Sequence, residues 1–502
     1  MIEIAHSLKD WAFLCANTRV YFDYIRKEFA ENMTTGIQTQ QKDPQLYTMI
    51  LKIALPIALQ NLLVFLTQML DTIMLGELGD VPLTASSLAN QVFFVYSLFT
   101  FGIAGGSAVL TAQYWGKQEM QPIKIVMATV LRLVAVVGVL LSVLVLAFPS
   151  QIMSIFSPDQ AVIAAGVDYL RIIGFMYFFF GVSNTLISLL RSIEMVKVAV
   201  IANATSLVVN GGLNYILIFG QFGAPRMEVQ GAALATVIAK IAELLIVLIY
   251  VFAVDKQLNL KIADLFRRDP ILSADLRKYC TPVVLNELAW SLGIAMQSLL
   301  FGRMSTIAVS ANTIIGVVQQ LATLVIFGIA NAAAVIIGKT IGEGNLALAK
   351  QRGRKLKVIA IIMGLLAAVM ILLSRNAMVD FYNVSEETKV LAKQMLNITA
   401  LIVFFISNSS VCIVGILRGG GDTKFSLAIE LIALWFFAVP LGFLAGMVLK
   451  LPVLVVYLLF KSDEIVKTVI CWVRVAGDKW IRNVTRSSLE EQKETASNTV
   501  AR

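Results

Sequence analysis

Runs of about 20 apolar residues recur along the whole chain, and such runs leave few folds open, because in hydrocarbon every backbone N–H and C=O must be satisfied within closed secondary structure. Twelve windows of this kind lie near 48–75, 87–114, 125–148, 162–190, 198–219, 229–253, 279–301, 309–338, 356–374, 390–416, 425–448 and 452–475. Lys461, Asp463, Glu464 and Lys467 interrupt the last of them. The windows suit spanning helices and are too long for barrel strands, so the sequence predicts an all-α polytopic membrane protein with twelve transmembrane helices. Composition agrees: of 502 residues, 58% are hydrophobic and 15% charged, against roughly 25% charged in a soluble domain. With a mean hydropathy of +0.80, a soluble enzyme of this size is excluded.

The remaining charges sort by loop. Lys and Arg number eighteen in one alternate set of loops, Arg352 and Arg418 among them, against five in the other. Positive residues stay on the cytoplasmic side, which places both termini there; the expected location is a bacterial plasma membrane. The net charge of +9 therefore reports topology, and no nucleic-acid-binding face is indicated. Cys15, Cys280, Cys412 and Cys471 have no paired spacing, and the one histidine, His6, lies outside every span, so neither a disulfide framework, a metal centre nor a histidine base is suggested. Residues 1–45 are polar and lack signal-peptide organisation. Met33 is an alternative natural start.

Sliding the chain on itself by about 226 residues aligns Pro56 with Pro282, Gly76 with Gly302, Phe101-Gly102 with Phe327-Gly328 and Gly116 with Gly342; one residue further, Arg191 meets Arg418. Six spans per copy is an even number, so both copies share one orientation and form a parallel internal repeat. The expected organisation is a cytoplasmic segment at 1–45, a six-helix lobe at 46–253, a basic linker at 254–278, a second six-helix lobe at 279–476 and a tail at 477–502. Two such lobes around a cavity suit alternating access.

Ionisable groups inside spans are costly and mark ion or substrate paths. Asp71 lies about 19 residues beyond Lys52, roughly 28 Å along its helix, and Glu287 about nine beyond Lys278, roughly 14 Å. At such different depths each acts alone. Burying a carboxylate costs on the order of 3 kcal/mol, enough to bring proton binding and release near neutral pH, and the same group when ionised holds Na⁺ or a drug cation. Both are candidate coupling-ion residues. Gln60, Gln68, Asn210, Asn214, Asn286, Gln297 and Asn408 are candidate cavity amides, with interhelical hydrogen bonding as the alternative use. Asn210 and Asn214 share a helix face. The glycine-rich stretch 417–423 lacks the Lys-Ser/Thr ending of a phosphate loop, so transport draws on an ion gradient, and no cofactor beyond H⁺ or Na⁺ is expected.

Asp71-Thr72-Ile73 with Gly76, Pro282 with Asn286-Glu287 and Trp290, and Leu417-Arg418-Gly419 with Gly421-Asp422-Thr423 together resemble the multidrug and toxic compound extrusion (MATE) family from about residue 46 to 485. The resemblance implies two six-helix lobes exchanging H⁺ or Na⁺ for small amphipathic, mostly cationic substrates, as a monomer in the lipid bilayer. It also implies that Asp71 is the first-lobe carboxylate and Glu287 the seventh-span acid. One branch of the family carries a second acid four residues after the fifth-span Asn, where this chain has Asn214. Another has an Asp in the tenth span, where this chain has Ser407 and Asn408. These departures favour H⁺ over Na⁺. A lipid-linked saccharide flippase is the alternative, disfavoured by the scarcity of basic residues in the spans, of which Arg132, Arg171 and Lys240 are examples. A polytopic membrane enzyme is a distant third.

Overall fold

The computed structural model describes residues 43–486 apart from Asn383. His6, Cys15, Met33 and most of the 1–45 segment, with residues 487–502 of the tail, lie outside the described residues. Among the described residues ten helices are long and apolar enough to cross a membrane, eleven with one bent pair, and a broken pair of shorter helices follows the last apolar window; numbered α1 to α12 they are Pro44–Gly76, Asp80–Gly116, Met120–Ala147, the bent pair, Lys197–Phe219, Glu228–Ile249, Pro270–Met304, Thr306–Gly342, Leu346–Asp380, Glu386–Ser410 extended to Leu417, Thr423–Val448, and the broken pair.

Two windows read as single helices are not continuous. α4 consists of Gln160–Ile173 and Met176–Ser192 bent by 53°. The bend falls at Gly174, where a side chain would press on Leu146 of α3, and a close approach of this kind is a common cause of kinks. α12 consists of Val453–Phe460 and Asp463–Ala476. Its charged turn points inward: Lys467 is buried with Glu430 of α11 and Asp463 at 2.8 Å and Glu464 at 3.3 Å.

Two side-chain cores each stay within one lobe, while a third joins α2 to α6 to Leu272, Leu276 and Cys280 of α7. Of the first two, one is built from α1 to α6 around Tyr96, Tyr169, Tyr177 and Phe180, and another from α7 to α12 around Phe301, Met395, Tyr457 and Phe460. Helices this apolar gain little hydrophobic energy by leaving lipid, so close packing at small residues joins them. The repeat shows itself in that packing. A Cβ on Gly116 of α2 would run into the carbonyl of Lys339 on α8, and one on Gly342 of α8 into the carbonyl of Gln113 on α2. Likewise Gly102 of α2 would meet Val284 Cα of α7 at 2.7 Å, while Gly328 of α8 would meet the Ala54 carbonyl of α1 at 2.9 Å and Ala58 Cβ at 3.2 Å. Each contact maps onto its counterpart by the 226-residue shift, the signature of a pseudo-two-fold axis between the lobes.

These junctions lie in the half of the bundle nearer the basic loops, and residues 477–486 strap across the same end. Gln113 of α2 accepts from Val484 N (2.8 Å) and donates to Arg482 O (3.1 Å) and Gly419 O (3.3 Å). Arg486 makes a two-pronged pair with Asp275 at 2.7 and 3.0 Å, and Trp480 is fully buried against Gly353 and Gly420. Trp480→Ala empties that socket, at an expected cost of about 3–5 kcal/mol. A thermal midpoint in detergent unchanged from wild type would refute the strap's contribution.

The linker is fastened to α3. Lys124 donates to Asn259 O (2.8 Å) and pairs with Asp264 (3.5 Å). The Lys261 N–H, 3.0 Å from Asp264, holds that carboxyl below the usual range, with Lys124 and Arg267 adding to the effect. A carboxyl with a depressed folded-state pKa stabilises above the unfolded value, about 3.9, and the contribution is lost as pH falls through the folded value. The Asp264 contribution is thus expected to be intact at neutral pH and lost only in acid. Comparing thermal midpoints of Asp264→Asn and wild type from pH 3 to 7 checks this: the gap should close toward pH 3, and a constant gap would rule it out.

Candidate ion and substrate cavity

The first-lobe site is assembled by α1, α5 and α6. Asp71 stands five residues before the end of α1, and Asn214 equally close to the far end of α5. Asn214 Nδ2 donates to Asp71 Oδ1 at 2.5 Å and to Asn210 Oδ1 at 3.2 Å. Asn210 Nδ2 passes the chain on to Thr236 Oγ1 of α6 at 3.2 Å, and Thr236 closes it on the Ala232 carbonyl. Asn210 and Asn214 are fully buried, and Asn214 Oδ1 has no bonding partner. Asp71, half-buried, therefore meets a neutral amide at bonding distance rather than a cation.

One turn past Thr236 on the same face of α6, Lys240 pairs with Glu243 at 2.6 Å, and Ser183 Oγ of α4 donates to Glu243 Oε1 at 2.7 Å. Lys240 Nζ lies 5.8 Å from the centre of the Phe180 ring. Phe180 packs edge-on against Phe93 at 4.7 Å, beside Tyr96 and Tyr177. The sequence reading passed over Glu243. The signal was present, since an acid three residues after a mid-span Lys is a paired ion pattern.

In the second lobe, Glu287 of α7 is bound to Arg418 Nη1 at 2.7 Å, and Asn286 Oδ1 accepts from the same guanidinium. By sequence Arg418 reads as a loop cation. It is in fact buried and turned into the lobe junction, with Nη1 placed 3.8 Å from where a Gly105 Cβ would stand on α2. Arg352, also a loop cation by sequence, is buried and donates to Thr340 Oγ1 at 2.8 Å. Neither changes the sense of the charge asymmetry. Asn286 thus binds a guanidinium at the junction.

The other amides disperse. Gln297 Nε2 bonds to Asn312 Oδ1 at 2.9 Å inside the second lobe, and Asn408 donates back to Phe404 O within α10 at 2.8 Å. Gln297 thus makes an interhelical bond and Asn408 an intrahelical one. Gln60 is buried with Oε1 unpartnered, and Gln68 is exposed one turn before Asp71. Asp71 and Glu287 sit in different lobes with separate partners, so the structure brings together Asp71, Asn210 and Asn214 but not the two acids.

The model of one protein family, MatE, matches residues 56–216 and 282–444, one segment in each copy of the repeat. The chain belongs to the MatE family. Among relatives of this MatE chain, the probable multidrug resistance protein YoeA of Bacillus subtilis is 26% identical over 85% of the chain and 93% of its own length. The probable multidrug resistance protein NorM of Thermotoga maritima is 24% identical over 90% and 97%. A solved structure described as the outward-facing conformation of a multidrug resistance MATE family transporter superposes with a TM-score of 0.79 at 18% identity, covering 86% of this chain and 96% of that one. A MOP superfamily transporter from Pyrococcus furiosus matches at 0.78 and 18% over the same shares. The fold is that of these two-lobe MATE transporters.

Proposed function

We propose that this MatE protein exports small amphipathic, mostly cationic compounds across the plasma membrane in exchange for H⁺, by alternating access of a monomer. The observation that carries the reading is Asp71, an intramembrane carboxylate bonded to the neutral amide of Asn214. With no cation at bonding distance among the described residues, its charge is available to a proton or to a cationic substrate, and competition between them for one site couples the two fluxes. H⁺ is preferred to Na⁺ because Na⁺, like other hard cations, is held by several converging oxygens, whereas Asn214 turns its NH₂ to Asp71 and no second acid completes a cage. Drugs as the cargo are supported by the relatives named multidrug resistance proteins.

With the basic loops cytoplasmic, the glycine junctions and the strap close the cytoplasmic end of the lobe interface, and access to Asp71 is from outside. Glu287 takes a second coupling role in this scheme: a proton on its carboxyl weakens its hold on Arg418 at the junction, linking protonation to lobe movement. No cofactor takes part.

Ethidium efflux from proteoliposomes under a pH gradient or a Na⁺ gradient, imposed separately, tests the reading. A pH gradient alone is expected to drive efflux. Transport driven by Na⁺ alone would reassign the ion. With neither gradient effective for correctly inserted protein, the drug-exchange reading fails and lipid-linked saccharide flipping takes its place.

A further inference from the structure

Resting on that reading and sharpening its substrate class, we propose that Lys240 and Glu243 cancel one another and leave the first-lobe site with the single negative charge of Asp71, so that the site selects monovalent organic cations and excludes dications. A buried ion pair is a poor source of stability, and two ionised groups at mid-span invite a functional account. Lys240 lies on the α6 face that carries Thr236, the end of the amide chain leading to Asp71. The Lys240 side chain is 16% accessible and that of Glu243 3%, the latter also accepting from Ser183. Lys240 also reaches the face of Phe180 at the edge of the aromatic core, which holds the ammonium in place.

With Asp71 ionised, the charged groups along the amide chain from α1 to α6 are Asp71 (−1), Lys240 (+1) and Glu243 (−1). Asp168 and Arg171, the other ionisable side chains in the neighbouring part of α4, are of opposite sign and leave that sum unchanged. One proton or one monovalent cation brings it to zero. A dication leaves an uncompensated positive charge in a low-dielectric site beside Lys240, a penalty of about tenfold or more in affinity.

Ethidium and propidium share one phenanthridinium core and differ by a positive charge, so their ratio reads the rule. Binding and efflux of both are measured for wild type, Lys240→Gln, Glu243→Gln and the double variant. Lys240→Gln takes the sum to minus two and is expected to raise the propidium-to-ethidium ratio about tenfold. Glu243→Gln takes it to zero and is expected to weaken ethidium about tenfold. The double variant restores minus one and is expected to return the ratio to within threefold of wild type.

A ratio unchanged in Lys240→Gln overturns the proposal, as does a double variant whose ratio follows Lys240→Gln, since that pattern belongs to a merely structural pair. If Lys240→Gln does not fold, Glu243→Gln carries the decision: ethidium affinity equal to wild type overturns the charge rule. Failure of the underlying reading looks different, because wild type itself then shows no ethidium binding or efflux.

Discussion

Asp71→Asn is expected to abolish gradient-driven ethidium efflux, bringing the initial rate down to that of protein-free vesicles, while the protein still inserts and folds. The substitution is nearly isosteric, and the new amide still offers an oxygen to Asn214 Nδ2, now 2.5 Å from Asp71 Oδ1, so the Asp71-Asn214-Asn210-Thr236 chain persists. What is lost is the one charge on which proton and substrate compete. Ethidium binding is therefore expected to weaken by about tenfold and to become independent of pH. Asp71→Glu keeps the charge on a longer stem and is expected to retain part of the activity. Efflux by Asp71→Asn at more than half the wild-type rate, in vesicles carrying equal amounts of protein, would remove Asp71 from the mechanism.

The second large effect concerns the junction between the lobes. Gly116→Ala places a methyl group into the Lys339 carbonyl, and backbone atoms cannot step aside as a flexible side chain can. Overpacking of this kind costs about 1–3 kcal/mol. The penalty falls only on the state in which α2 and α8 touch, so it shifts the balance between the two conformations by about 5–150-fold toward opening at the basic-loop end. Cys280 reports the change, because it is buried at the same junction against Gly106 and lies 3.6 Å from Ser107 Oγ. In a background with Cys15, Cys412 and Cys471 replaced by Ser, labelling of Cys280 by a polar maleimide is expected to speed up at least about fivefold in Gly116→Ala. Gly342→Ala, its counterpart across the pseudo-two-fold axis, should act in the same direction. Unchanged labelling in both variants would mean that this contact does not govern closure.

Much of this could be read before any coordinates, and the reasons are physical. A spanning helix must be about 20 apolar residues long, so α1 to α3 and α5 to α11 announce themselves by length. Duplication leaves the same small residues at equivalent crossings, so Gly116 and Gly342 declare the repeat, and the structure adds that they face each other's helices. Breaks are harder to see. The bend at Gly174 depends on how tightly Leu146 presses there, and the break in α12 depends on Lys467 being received by Glu430 of another helix.

The site divides in the same way. Asp71 and Glu287 stand out by sequence because a carboxylate is costly in hydrocarbon wherever it points, and Asn210 and Asn214 because i and i+4 share a face. Yet spans that are apolar on every side carry no stripe that tells inside from lipid. Sequence could not say that Arg418 folds back from its loop onto Glu287, that Asn408 bonds only within its own helix, or that Lys240 and Glu243 stand one turn from the amide chain at Asp71. The chain by itself determined that there are twelve helices, a duplication and two costly acids. Only the tertiary structure decided which partner neutralises each charge, because in a membrane that choice is made by contacts between helices and not by the water that sorts polar from apolar faces elsewhere.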